Sequence, residues 1–230
     1  NASQFSPERW HLRWNGNPLI DAATQPANII DAKSGKTIEG KTVDIDAKKR
    51  KRHTGELEYC KASGAVAFLK SNNLWVAFPD GTEHQLSKDG SREIVYGQSV
   101  HRDEFGIHKG TFWSPDGQQL AFYRMDQSMV AAFPQVDMTT RCATMVPDKY
   151  PMAGEASHVV SVGIYNVEAQ KTVYLNTGDP TDRYFTNVSW SPDEKSVYVI
   201  ELNRDQNHSQ LVRYNATTGE KEEMLYEERH

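Results

Sequence analysis

An all-β fold, a partial β-propeller of about three and a half four-stranded antiparallel blades, is predicted by three features of this sequence. First, one turn composition occurs twice. Trp113-Ser114-Pro115-Asp116-Gly117 combines a proline that presets φ, an Asp that can bond its own backbone and a Gly that accepts positive φ. The apolar run Leu120, Ala121, Phe122 and Tyr123 follows it, as a strand should. Trp190-Ser191-Pro192-Asp193, followed by Val197, Tyr198, Val199 and Ile200, repeats the pattern. Second, the segments Asn28 to Lys36, Gly163 to Lys171 and Val212 to Glu220 share one plan. Each is an apolar strand end, then Asp or Asn, a short polar loop and a charged residue, which reads as a β-hairpin. Third, the interval from Asn166 to Asn215 matches the roughly 40–50 residues of one propeller blade. An ordinary antiparallel sandwich with similar turns is the competing architecture. Recurrence in the same order at blade length favours the propeller.

Taken in order, residues 1–56 read as a partial first blade and a basic connection. They hold Trp10, Trp14 and Pro18, the hairpin Asn28 to Thr42, and then Lys48-Lys49-Arg50-Lys51-Arg52. Such a run can bind nucleic acid or serve as a nuclear address. Nothing aromatic interleaves with it, so a solvated connection is the preferred reading. Residues 57–98 form the second blade, from the strands Ala65 to Leu69, Leu74 to Phe78 and Ile94 to Tyr96. Pro79-Asp80-Gly81 and Lys88-Asp89-Gly90 supply its turns. Residues 99–175 form the third blade, which carries the acidic pair Asp103 and Glu104 and a long insertion, 125–154. Insertions of that kind in compact domains are functional or disordered. This one ends in Tyr150-Pro151-Met152-Ala153-Gly154-Glu155, a rigid aromatic and proline element. Residues 176–230 are the fourth blade and a truncated end. An open arc leaves blade faces and strand edges that invite pairing, so a fragment that self-associates or dimerises is expected.

Composition narrows the function classes. The 230 residues suit one large β-domain, and no apolar run approaches the roughly 20 residues of a membrane-spanning helix. A net charge of −5 argues against nucleic acid as a partner. The start, Asn1-Ala2-Ser3, is polar and lacks the apolar core of a signal peptide, and it reads as a trimmed beginning. Two cysteines, Cys60 and Cys142, are too few for a disulfide scaffold and lack metal spacing, so they are expected as free thiols. The histidines, among them His101, His108 and His158, show no ligand spacing, and neither a metal nor any cofactor is expected.

Several linked motifs then carry a family resemblance. Glu104-Phe105-Gly106, Gly110 to Gly117, Ala121 to Ser128, Tyr150 to Gly154 and Leu202 to Asn207 together resemble the N-terminal propeller of dipeptidyl peptidase IV, most closely its bacterial members. The resemblance is strong over residues 57–225 and poor over the first 50. It implies a fragment of a larger, eight-bladed propeller in an exported or periplasmic serine exopeptidase of the prolyl oligopeptidase clan. That enzyme would release Xaa-Pro or Xaa-Ala dipeptides from peptides with a free N-terminus. It also implies a missing C-terminal α/β-hydrolase domain carrying the Ser, Asp, His triad, so no catalytic residue is expected within this chain. In the family an adjacent acidic pair binds the substrate α-ammonium. By distance from the Trp-Ser-Pro-Asp turn the pair falls on Asp103 and Glu104, with Glu104 as the primary residue.

The chemistry is apt, because an ammonium offers three donors and one charge, and charge-assisted bonds are about twice as strong as neutral ones. Neighbours on a regular strand point to opposite faces, so both acids can converge only where a bend or short helix interrupts the strand. The bland alternative is a solvated acid pair beside Arg102 and Lys109. Other candidates are weaker. Gly97-Gln98-Ser99-Val100-His101 lacks the second glycine of a nucleophile elbow, so Ser99 and His101 read as structural. Arg13 lies where the family places a carbonyl-binding arginine, without an alignment firm enough to carry the role. Arg124 and Asp126 read as partners for neighbouring side chains, and the sequons at Asn1, Asn187, Asn207 and Asn215 as chance. Two functions follow: the substrate-gating propeller of a dipeptidyl peptidase, or a noncatalytic propeller that serves as a protein-binding platform.

Overall fold

A computed structural model describes residues 12–14, 19–21, 27–43 and 52–230. The chain divides into two compact units, Asn1–Arg52 and His53–His230. The first holds an antiparallel sheet of β1 (Leu12–Trp14), β2 (Leu19–Asp21), β3 (Ala27–Ile30) and β4 (Thr37–Val43), paired in that order. A partial blade was expected there, and the sheet has four strands. Its β3–β4 turn is the predicted hairpin: Asp31 Oδ1 accepts the N–H groups of Lys33 (2.9 Å) and Ser34 (2.7 Å), and Gly35 takes φ +68°. Trp10, Pro18 and the basic residues Lys48 to Lys51 lie outside the described residues.

The second unit holds three larger sheets and two two-stranded ones. One is β5 (Glu56–Tyr59), β6 (Val66–Lys70), β7 (Asn73–Ala77) and β8 (Glu83–Gln85), in order. Next come β9 (Ile94–Tyr96), β10 (Thr111–Trp113) and β11 (Gln119–Asp126). The insertion then folds into two short nested pairs, β12 (Ala132–Phe133) with β15 (Asp148–Lys149), and β13 (Val136–Asp137) with β14 (Thr144–Met145). β16 (Val159–Asn166) and β17 (Lys171–Tyr174) complete the third sheet in the order β10-β11-β16-β17. The fourth is β18 (Arg183–Trp190), β19 (Ser196–Asn203), β20 (His208–Asn215) and β21 (Lys221–Arg229). One assignment changes: Ile94–Tyr96, expected in the second blade, pairs with Arg124–Asp126 of β11 and extends the third sheet.

Packing explains why β11 is apolar at every position from Leu120 to Tyr123. Successive strand side chains point to opposite faces. Leu120 and Phe122 enter a core with Ala65, Ala67, Leu74 and Val76 of the second sheet. Ala121 and Tyr123 enter another, with Phe185, Val197, Val199 and Val212 of the fourth. The third sheet is therefore buried on both faces, as a blade between two neighbours must be. Opposite Phe122 the chain places Gly163. A Cβ there would lie 2.6 Å from Phe122 Cζ, so only glycine leaves room for the ring.

The recurring turns close in the same way. Ser114 Oγ donates to Asp116 Oδ1 (2.6 Å) and accepts the Gln119 N–H (3.0 Å). Ser191 Oγ likewise donates to Asp193 Oδ1 (2.7 Å) and accepts the Ser196 N–H (3.0 Å). Gly117 (φ +74°) is replaced in the second copy by Glu194 (φ +60°). At the first copy a Cβ would stand 2.6 Å from Cys60 Sγ, so the close approach of the second sheet requires glycine. Cys60 is a buried free thiol and Cys142 an exposed one.

Candidate functional site

The acidic pair sits on the connection between β9 and β10. His101–Asp103 forms a 3-10 turn, the interruption that two adjacent acids would need. His101 (φ +54°), Arg102 (+59°) and Asp103 (+62°) are all left-handed, and Phe105 (+55°) follows Glu104, which is extended at φ −74° and ψ 173°. None is glycine. A left-handed non-glycine residue costs roughly 1–2 kcal/mol, and such strain concentrates at functional sites, where the surroundings impose it.

Those surroundings come from two sheets and the insertion. Asp103 N–H donates to Val100 O (3.1 Å), Glu104 N–H to His101 O (3.2 Å) and Ile107 N–H to Glu104 O (3.0 Å). Ser99 Oγ donates to Ile107 O (3.0 Å), a structural role. His101, 2% exposed, accepts the Phe185 N–H of β18 at Nε2 (3.0 Å), and its Nδ1 lies 2.8 Å from Nε2 of the buried His158. Tyr184 meets the His101 ring edge-on at 5.0 Å and the Phe105 ring at 5.1 Å. Arg102 donates to Asp148 Oδ2 (3.0 Å) and Lys149 O (3.3 Å) and stacks over Tyr150. The insertion is thereby fastened to the turn.

Arg102 and Lys109 are both committed elsewhere, since Lys109 donates to Glu58 Oε1 (2.6 Å). Among the described residues neither Asp103 nor Glu104 has a side-chain hydrogen bond or ion pair. The two acids are exposed and line separate cavities. Asp103 lines one of about 220 Å³ with Gln127, Lys149 and Pro151. Glu104 lines one of about 180 Å³ with Tyr150, Ser157, Tyr184 and Gln206. Arg102, Pro151 and His158 border both. The turn thus sets the acids side by side, each bordering one of two cavities that share a wall.

The remaining candidates sort simply. Arg124 pairs with Asp89 (3.2 Å) and bonds Tyr96 Oη (3.0 Å), and Asp126 accepts from Ser128. Arg13 lies on β1 within the other unit, and nothing of its side chain is described. Sequence reasoning missed His158, Tyr184 and Gln206 as walls of the site. Only Gln206 carried a signal, since it belongs to the Leu202 to Asn207 run. Arg204 in that run donates to Asp182 Oδ1 (2.8 Å) and Met152 O (3.4 Å), tying the β19–β20 turn to the insertion. Among the described residues no three His, Cys, Asp or Glu side chains gather as metal ligands, and no helix is long and apolar enough to cross a membrane.

Both histidines are held neutral. Burial, with the His158 ring second, lowers His101 to about 3 from 6.5, and burial, then Arg102 and Arg204, lowers His158 to about 4. Folded values below the unfolded one mean that each contribution is complete above pH 6.5 and is lost as the pH falls toward the folded value. Stability should then decline by about 1.4 kcal/mol per pH unit for each histidine in that interval. Urea unfolding between pH 7 and 5 reads this slope. His158→Gln should remove one histidine's share, and identical slopes in the two proteins would refute the assignment.

With the geometry in hand, three comparisons place the chain. A family model described as the dipeptidyl peptidase IV N-terminal region matches residues 29–230. A probable dipeptidyl-aminopeptidase B of Talaromyces stipitatus is 32% identical over 189 residues, 74% of this chain and 21% of that protein. A counterpart from Pyrenophora tritici-repentis is 30% identical over 169 residues, 65% of this chain and 19% of that protein. The chain therefore spans about a fifth of the length of these curated relatives. Among solved structures, a protein described as a dipeptidyl aminopeptidase IV from Bacteroides ovatus superimposes with a TM-score of 0.69 at 48% identity. That match covers 95% of this chain and 28% of that one. Porphyromonas gingivalis dipeptidyl peptidase 4 also superimposes with a TM-score of 0.69, at 22% identity, over 96% of this chain and 30% of that one, which supports the propeller fold alone.

Proposed function

The chain belongs to the dipeptidyl peptidase IV N-terminal region family, and from that membership we propose that it is the substrate-gating propeller of a serine-type dipeptidyl peptidase. The observation that supports this reading is the pair of carboxylates, Asp103 and Glu104, left without protein partners on a strained, externally braced turn. Glu104 receives the α-ammonium of a peptide, and Asp103, one methylene shorter and facing the adjoining cavity, assists directly or through water. A charge fixed at that depth counts residues from the free amine, so the chain end enters only far enough for an Xaa-Pro or Xaa-Ala dipeptide to be cut. The nucleophile, a serine with Asp and His partners, belongs on this reading to an α/β-hydrolase domain outside this chain. The chain by itself is then inactive, and its parent is an exported, periplasmic or cell-surface enzyme.

In the enzyme that unites this chain with its hydrolase domain, Glu104→Gln should lower kcat/KM for a free-amine Xaa-Pro substrate about 30-fold, or about 2 kcal/mol. The N-acetylated substrate should be poor for wild type and insensitive to the substitution. Equal kcat/KM in the two enzymes would take Glu104 out of the site.

A second reading has its own observation. The insertion exposes Phe133, Val136, Met138, Met145 and Val146, an apolar set of the sort that marks binding surfaces. On this reading the propeller is a noncatalytic protein-binding platform. A gene whose frame after His230 lacks Gly-x-Ser-x-Gly would favour it. In either case the chain self-associates, and sedimentation equilibrium should report a mass above the monomer; a monodisperse monomer would count against it.

A further inference from the structure

We propose that His158 is a positioning residue for the amine site, acting through His101 to hold the acid turn in place. The proposal rests on the reading that Glu104 and Asp103 bind a peptide ammonium.

The hydrogen bonds around the two rings have a direction that can be deduced. The Phe185 N–H is a donor and ends 3.0 Å from His101 Nε2, so that nitrogen carries a lone pair. A neutral His101 must then hold its proton on Nδ1 and donate it to His158 Nε2, 2.8 Å away. His158 in turn holds its proton on Nδ1. That atom makes no hydrogen bond among the described residues. His158 borders both carboxylate cavities. The backbone of β18 thus sets, through two rings, the tautomer of a histidine that borders the cavities of both Asp103 and Glu104.

The same chain anchors the strained turn. His101 is its first left-handed residue, and among the described residues its side chain bonds to β18 and to His158 alone. Burial and the nearest cations favour the neutral arrangement. Arg102 on the turn and Arg204 beyond β19 oppose a positive His158, and Lys149 of the insertion lines one of its cavities while paired with Glu93. Tyr150 and Tyr184 also line these cavities, and the carboxylates of Asp103 and Glu104 act in the opposite sense, favouring a positive ring. A further proton on either ring would have to displace an existing hydrogen bond, since both Nε2 atoms already accept one.

The test uses the complete enzyme with a free-amine Xaa-Pro substrate. His158→Phe, which fills the space and cannot accept from His101, should raise KM about tenfold while kcat stays within about twofold, the pattern of lost positioning at a binding group. His158→Gln, whose amide can both accept from His101 and donate into the cavities, should restore KM to within about twofold of wild type. Nitrogen-15 NMR of the rings at pH 7 should show both histidines protonated on Nδ1. A Phe variant with wild-type KM, a Gln variant no better than the Phe variant, or an Nε2 proton on His158 would each overturn the proposal. If the Phe variant does not fold, the Gln variant and the ring spectra still decide it. Glu104→Gln separates the two levels: a raised KM there with a silent His158→Phe removes only the positioning role, and a silent Glu104→Gln removes both.

Discussion

Glu201→Ala should lower the unfolding free energy by about 3–5 kcal/mol, the cost of breaking a buried ion pair from one side. Glu201 is 4% exposed in the middle of β19 and receives both Arg183 Nη2 of β18 and the Tyr214 hydroxyl of β20. It thus joins three strands of the fourth sheet through one carboxylate. Its removal leaves a phenol whose ionisation burial already disfavours, and a guanidinium that keeps Thr177 O, Asp179 O and its stacking over the Phe185 ring. Arg183 retains partial exposure, which places the expected loss toward the lower end of the range. Urea unfolding followed by tryptophan fluorescence reads it. The paired change Glu201→Leu with Arg183→Met should recover most of the loss, because neither charge is then stranded. A single variant within 0.5 kcal/mol of wild type would show that the pair is solvated in solution.

Phe185→Ala should cost a comparable amount, about 3–5 kcal/mol, by a different route. The ring is fully buried in the core shared by the third and fourth sheets. Deleting it removes transfer energy and leaves a cavity that two sheets, each fixed by its own ladder, cannot collapse to fill. The backbone bonds at this position survive the change: Phe185 O still accepts the Tyr123 hydroxyl (2.9 Å), and its N–H still reaches His101. Stability should therefore fall while the acid turn keeps its anchor. Denaturation midpoints for Phe185→Ala and Phe185→Leu, with KM measured on the intact enzyme, separate the effects. A raised KM in the Leu variant would mean that the ring, as well as the backbone, places the turn.

Much of the fold was legible because propeller strands carry local punctuation. The two Trp-Ser-Pro-Asp turns and the Asp31, Asn166 and Asn215 hairpins announce themselves through residues that bond their own backbone. Partner choice was not local. Ile94–Tyr96 reads as a strand from its composition, but its pairing with β11 is decided across a long stretch of chain that no turn residue marks. The site shows the same division. That two adjacent acids need an interrupted strand follows from strand geometry alone, and the turn at His101–Asp103 is that interruption. Its left-handed run was invisible, because three consecutive non-glycine residues adopt positive φ only when tertiary contacts force them. The imidazole pair was hidden for a related reason: His101 and His158 lie on opposite sides of the insertion and meet only when β16 folds back beside β11.

The bracing of the acid turn from two sheets has a mechanical corollary. One strut, His101, ends on the fourth sheet, and another, Arg102, ends on the insertion that grows from the third. The carboxylates therefore ride on the seam between two blades, and a rotation of one blade against the other carries them with it. The acids sit on a joint, so the constancy of their position is set by the stiffness of the apolar packing beneath.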